Sequence, residues 1–276
     1  MVGIILETNI NSEKLTEKII KNDFYDNLQN SRVEFIVNRK LRKIAGRKKL
    51  GILWMVLDPL ATSLVYLFVL TVFRSSPNAE TMLIGIGMYK IFQSSIKSGV
   101  NTISDFSGGL KLERVSSNVL LKSIIKFRII DTFLQSFGVI LVLFIGFKSN
   151  LMGVFVFLLL AQIIGIIAEG FGLNLALIVR KIPDIGNIIN YFLLLMFFGS
   201  PVLYPMEFTE GLHYTINEYN PFTYFVEYSR WNMGLSSEIF NIEPTIIIVT
   251  MLILGFVAIR GLMSLDNLRW KVSNWS

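Results

Sequence analysis

The sequence predicts an all-α integral membrane protein. It has six transmembrane helices, an amphipathic interfacial helix ahead of them and short re-entrant helices between spans five and six. Three observations carry this reading. The 276 residues are 53% hydrophobic and only 17% charged, with a mean hydropathy of +0.57. Soluble domains carry about 25% charged residues, so a water-soluble enzyme is disfavoured. Six apolar stretches approach the ~20 residues that a helix needs to cross a bilayer core. The 26 lysines and arginines gather before the first stretch and in alternate loops. The lack of cysteine excludes disulfides, thiolate metal sites and a cysteine nucleophile. A single histidine, His213, excludes a multi-histidine zinc centre.

Residues 1–50 read as a cytoplasmic N-terminal segment, with no secretory signal peptide ahead of the basic block. Val33, Val37, Leu41 and Ile44 recur at helical spacing, and basic residues including Arg39, Lys40, Arg42 and Lys43 fill the surface around them. A basic amphipathic helix just before a span suits the anionic inner leaflet. Nucleic acid is the other partner such a cluster can serve, but lipid headgroups suffice where the cluster abuts a span.

The six spans cover 53–73, 81–104, 129–147, 151–179, 185–204 and 245–262 within a transmembrane unit of 51–265, followed by a short tail, 266–276. An even number of spans puts both termini on one side. Lys90 and Lys97 fall inside the second span, and only Arg74, Lys148 and Arg230 fall on the side opposite the termini. The positive-inside rule therefore makes both termini cytoplasmic.

The second span is polar along one line. Lys90, Ser94, Lys97, Ser98, Asn101 and Asp105 follow steps of three and four, which is one helical face. Charged groups at membrane depth face a protein interior or a watery cavity. The stripe either lines a pathway or is buried and paired against other helices. Asp58 lies near the inner end of span one, within reach of the preceding basic residues. It forms no recognisable pair with the other intramembrane acids, Asp131 and Glu169. Glu169 stands among Gly165, Gly170 and Gly172, whose small size permits close helix packing, and is either a structural acid or a pathway residue.

The cytoplasmic loop, 105–126, holds a flexible Gly108-Gly109 break followed by a short helix over 110–121 that presents Lys111, Glu113 and Arg114. On composition it is a solvated connector or a docking helix. The outer segment, 205–241, is acidic, aromatic and too long for a simple turn. Asn220-Pro221 signals a helix start there. Phe222, Phe225 and Tyr228 (or Phe225, Tyr228 and Trp231) then share a face, and Glu227 and Arg230 stand three apart, at pairing distance. One or two amphipathic helices dipping into the outer leaflet account for this pattern.

No phosphate-binding GxxxxGK[ST] loop and no GxSxG elbow is present. The run LGILWMVLDPL (50–60), the run SPVLYP (200–205) and NPF followed by Glu227 and Arg230 stand in this order. Together they resemble the membrane subunit of polysaccharide-exporting ABC transporters, the ABC-2 type permeases of O-antigen, capsule and teichoic-acid export. The resemblance covers about residues 30–265.

The resemblance implies a homodimer lining one channel in a bacterial inner membrane and two copies of a separate ATPase subunit that binds ATP and Mg. It also implies a lipid-linked polysaccharide as cargo. This chain itself would bind no cofactor. The loop from Gly109 would couple to the ATPase through Lys111, Glu113 and Arg114. The N-terminal helix, with Arg39, Lys40, Arg42 and Lys43, would help form the substrate's way in. A re-entrant segment would include Pro201, Pro205, Asn220, Pro221, Glu227 and Arg230. Channel-lining aromatics expected by position are Tyr66, Phe73 and Tyr191, beside the polar stripe of Lys90, Ser94, Lys97 and Asn101. Where the family carries a tryptophan in span two, this chain has MYKIFQ with Lys90, which suggests contact with an anionic group.

Three other readings compete. One is an ABC-2 permease for a drug or non-glycan lipid, against which the basic pre-membrane helix and the aromatic outer helix favour the glycan version, mainly through the resemblance. A membrane-embedded glycosyl- or acyltransferase needs clustered acids or a histidine at one membrane face, and none is evident. A secondary carrier needs matching interrupted spans in two halves, which are not seen.

Overall fold

The computed structural model describes residues 25–44, 46, 49–73, 78–105, 115–237, 239 and 241–267. Every regular element among the described residues is helical. Helix α1 (25–44) precedes a turn at Gly51, whose φ of +48° suits glycine, and α2 (Leu53–Phe73) follows. Next come α3 (Ala79–Val100) and, after a break at Asn101, the single turn α4 (Thr102–Asp105). Helix α5 (Ser117–Leu141) runs on as a π-helical turn, Val142–Gly146. Then come α6 (Leu151–Lys181), α7 (Asp184–Gly199), α8 (Gly211–Glu218), α9 (Pro221–Asn232) and α10 (Pro244–Met263).

Local chemistry sets the ends. Asn78, Asn150 and Asn220 cap α3, α6 and α9 by accepting backbone N–H bonds, and Pro221 fills the first turn of α9. Helix α7 stops at Gly199 because Pro201 pushes Ser200 into extended backbone, with ψ at 161°. The expected fifth span, 185–204, is therefore cut short. The third starts at Ser117 instead of residue 129, so residues 117–126 of the expected loop are the opening turns of α5 and not part of a separate helix over 110–121. Gly109, Lys111, Glu113 and Arg114 lie outside the described residues.

Among the described residues, four helices are long and apolar enough to cross a membrane: 53–72, 117–146, 151–181 and 244–267. Helix α7 is apolar but has only 16 residues, and α3 has 22 but carries the polar stripe.

Helix α6 is the pillar. Three of its four glycines, Gly165, Gly170 and Gly172, admit three different neighbours. A Cβ on Gly165 would stand 2.7 Å from Thr132 Oγ1 of α5. One on Gly170 would stand 2.4 Å from the Ala258 carbonyl oxygen of α10, and one on Gly172 2.4 Å from that of Ile96 on α3. Gly99 on α3 answers Gly172, since a Cβ there would meet the Glu169 carbonyl oxygen at 2.4 Å. The small-residue cluster legible in the sequence is thus the contact set of one helix with three others.

Helix α1 departs from expectation. Its apolar stripe was expected to face lipid. Instead Val33, Ile36 and Val37 are buried against Val119, Ile124 and Phe127 of α5, Ile103 of α4 and Leu265. Only Ile44, at the end of the stripe, is exposed. Tyr25 and Phe35 expose a second, outward apolar face.

Gly172→Val adds bulk where two backbones touch. Overpacking of this kind costs about 1–3 kcal/mol, so a lower thermal midpoint and less monodisperse protein in detergent are expected. Gly255→Val, where a Cβ meets nothing within 4 Å, should leave both unchanged.

Candidate functional site

The polar stripe of α3 opens onto one cavity of about 570 Å³. Lys90, Ser94, Lys97 and Ser98 of α3, Asn101 at its C-terminal cap and Asp105 of α4 all line it. Helix α1 closes it with Lys40 and Lys43, α2 with Trp54 and Asp58, and α5 with Phe127, Arg128, Asp131 and Gln135.

The base of the cavity is an ion-pair network. Arg128 is buried and holds two acids: Asp131, one turn along α5, and Glu169 of α6, to which its Nε donates at 2.8 Å. Ser98 donates to the other Glu169 oxygen at 2.9 Å, and Lys40 Nζ donates to Ser98 at 2.6 Å while standing 4.0 Å from that carboxylate. Buried charges persist only when paired and hydrogen-bonded, and here each carboxylate of the base has a cation. Burial pushes the Lys40 ammonium below its ordinary range, and Glu169 and Asp105 pull it back up. Its charge also sits 4.3 Å over the Phe127 ring.

The rim is looser. Lys43 donates to Asp105 at 2.6 Å, and Lys90 pairs with Asp58 of α2 at 3.0 Å, across two helices. Asp58 pairs with Lys90; of the basic residues just before it, Arg47 and Lys48 lie outside the described residues. Lys97 has no ion pair or hydrogen bond among the described residues. The polar stripe thus divides: Ser98 is spoken for by the base, while Lys90, Lys97 and Asn101 line the cavity.

At the opposite end of the bundle lies a second polar centre. Arg230 of α9 is fully buried, and its guanidinium reaches five acceptors. Nη1 donates to the carbonyls of Pro201 at 2.7 Å and Tyr204 at 3.1 Å, and to Glu227 at 2.6 Å. Nη2 donates to the carbonyls of Val202 at 3.1 Å and Thr81 at 3.0 Å. Glu227 in turn accepts from the Met206 amide and from Ser236. The SPVLYP run is the loop wrapped around this arginine, with Pro201 and Pro205 both buried. Gly85 makes room for it, since a Cβ there would stand 2.0 Å from the Val202 oxygen. Asn220 also donates to Ser200, tying the start of α9 to the same loop.

The remaining expected residues fall elsewhere. Tyr66 is half-buried against Phe197, ring centres 4.9 Å apart, and Tyr191 is 73% exposed on α7. Neither joins the polar cavity, and the side chain of Phe73 lies outside the described residues. Arg39 is half-buried and Arg42 exposed on α1. The aromatics of α9 divide: Phe222, Tyr224 and Phe225 are buried in protein, and Tyr228 and Trp231 look outward.

Long apolar helices around a sheltered polar helix and a roomy polar cavity define a multi-pass membrane protein. Residues 32–234 match the family described as ABC-2 type transporter, and the chain belongs to that family. The O-antigen export system permease protein RfbA of Myxococcus xanthus is 29% identical over 179 residues, covering 62% of this chain and 67% of that protein. The polysialic acid transport protein KpsM of Escherichia coli is 24% identical over 212 residues, covering 74% of this chain and 81% of its own. A second KpsM sequence matches with the same figures. ABC-2 permeases are non-enzymatic membrane subunits that work with ATPase subunits in ABC transporters.

Removing one member of a buried pair strands the other charge, at about 3–5 kcal/mol. Arg128→Met, which strands Asp131 and Glu169 together, should therefore sharply lower the thermal midpoint of the purified protein. Neutralising both acids as well, with Asp131→Asn and Glu169→Gln, should recover a large part of the loss. Equal midpoints for the single and triple variants would contradict the pairing.

Proposed function

We propose that this chain is the transmembrane subunit of an ATP-driven exporter of polysaccharide. The cargo is lipid-linked and moves from the cytoplasm across the bacterial inner membrane. Two copies of the chain form the channel, and two copies of a separate ATPase bind ATP and Mg. The observation that carries the reading is a roomy, water-facing cavity along α3, walled by the basic helix α1. That is where a hydroxyl-rich molecule would find exchangeable partners on its way into the bilayer. The relatives named for O-antigen export and polysialic acid transport support a glycan over a drug or simple lipid.

Helices α3 and α7 serve as the second and fifth spans in this reading. Neighbouring helices cover most of α3, so its polar stripe does not face hydrocarbon. The end of the bundle carrying α1 is cytoplasmic, because the basic residues concentrate there. Helices α8 and α9 form the re-entrant segment at the outer end, with Arg230 satisfying the non-helical carbonyls that lipid would leave bare. The residues from Gly109 to Arg114 dock the ATPase.

Deleting the gene should abolish the surface glycan and leave glycan accumulating inside the cell, with rescue by the intact gene. Glu113→Ala with Arg114→Ala should cut co-purification of the ATPase subunit while leaving the permease folded. Normal surface glycan in the deletion strain would overturn the export reading. Undiminished co-purification would overturn the docking assignment.

A further inference from the structure

We infer that Lys97, with Lys90 two helical turns before it, forms an oxyanion site in the polar cavity. It takes a phosphate or carboxylate group carried by the transported molecule. The inference rests on the export reading for the identity of the cargo, but its own footing is charge and geometry.

Every acid on the cavity wall already has a cation. Asp58 holds Lys90, Asp105 holds Lys43 and stands 3.9 Å from Lys40, and Asp131 shares Arg128 with Glu169 behind it. Lys97 is the cation left over. It is half-buried, faces the cavity and meets no partner among the described residues. Asn101, one turn on and on the same face, has its side-chain amide free of partners there and adds a neutral donor.

An ammonium in a recess walled partly by Trp54, Met55 and Phe127 gives up hydration without gaining a counter-charge. An anion from the cargo supplies one. Lys90 can join it, because its partner Asp58 is 60% exposed and an incoming oxyanion competes for the same ammonium against a well-solvated carboxylate. At about 570 Å³ the cavity admits a phosphoryl group or an acidic sugar, not merely a small inorganic ion. Arg230, the buried cation of the second polar centre, cannot serve, since carbonyls and Glu227 already occupy its donors.

The test measures binding to the purified permease–ATPase complex in detergent, with two matched probe pairs. Polyprenyl diphosphate against polyprenol reads a lipid-borne anion. A sialic-acid oligomer against a neutral glucose oligomer reads a sugar-borne one. In at least one pair the wild type should prefer the anion by about tenfold or more. Lys97→Gln should erase that preference, and Lys97→Arg should keep most of it. The pair that responds identifies the source of the anion. Because Lys97 has no partner among the described residues, the thermal midpoint of Lys97→Gln should match the wild type.

The proposal is overturned if the wild type shows no preference in either pair, or if Lys97→Gln retains it. It is also overturned if Lys97→Gln is destabilised without ligand and Lys97→Arg is not, for then Lys97 serves the fold. Failure of the export reading shows elsewhere, as normal surface glycan in the deletion strain.

Discussion

A polar helix must live inside an apolar bundle, and the structure is organised around that constraint. Helix α3 carries two lysines and a run of serines along one face, so it cannot be left against hydrocarbon. Helices α2, α5, α6 and α9 pack on it, α6 most closely. An arginine from another helix secures each end of the polar run. Arg230 takes the Thr81 carbonyl in the first turn of α3. Arg128 holds Glu169, which accepts from Ser98 near the last turn. Between these two anchors the helix can present Lys90, Lys97 and Asn101 to water without facing lipid.

The glycines of α6 make this possible. Close approach of α3, α5 and α10 to one helix excludes lipid from their seams. It also lets Glu169 sit among backbones with less than a tenth of its side chain exposed. The pairing of Glu169 with Arg128 follows from the same closeness. A carboxylate placed so deep needs a guanidinium with its hydrogen bonds already aimed, and α5 supplies one a turn before Asp131.

Much of this was legible in the chain. Helix lengths and hydropathy outlined α2, α6 and α10 almost to the residue, and the three-and-four spacing drew the cavity-facing stripe of α3 correctly. The Glu227 and Arg230 pair followed from their spacing, and Asn220-Pro221 did start a helix. Arg128 was missed, because the charge pattern assigned it to a cytoplasmic loop. Its step of three from Asp131 was the available signal, but nothing local tells a buried i,i+3 pair from a solvated one. Asp131 and Glu169 looked unrelated for the same reason: their common partner joins them only in three dimensions. Periodicity also could not say what covers an apolar stripe, so α1 reads as lipid-facing although α5 covers it. The SPVLYP run carries no pattern from which its wrapping of an arginine could be derived, since carbonyls have no sequence signature.

The two sides of the cavity differ in how firmly they are held. Its base, α5 against α6 and α3, combines interlocked backbones with a desolvated ion-pair network, where loss of one group strands another. Its α2 side rests on Lys90 and the exposed Asp58, a pair of the kind worth about 0–1 kcal/mol in water. Lys43 and Asp105, on the α1 side, are similarly open to solvent at the lysine. Ion pairs of this sort exchange partners at little cost, whereas the Arg128 network cannot. A polar molecule entering the cavity therefore competes with the rim pairs and leaves the base intact. The exchangeable contacts of the cavity thus lie at its rim, and α3 and α6 with the Arg128 network form the firm wall behind them.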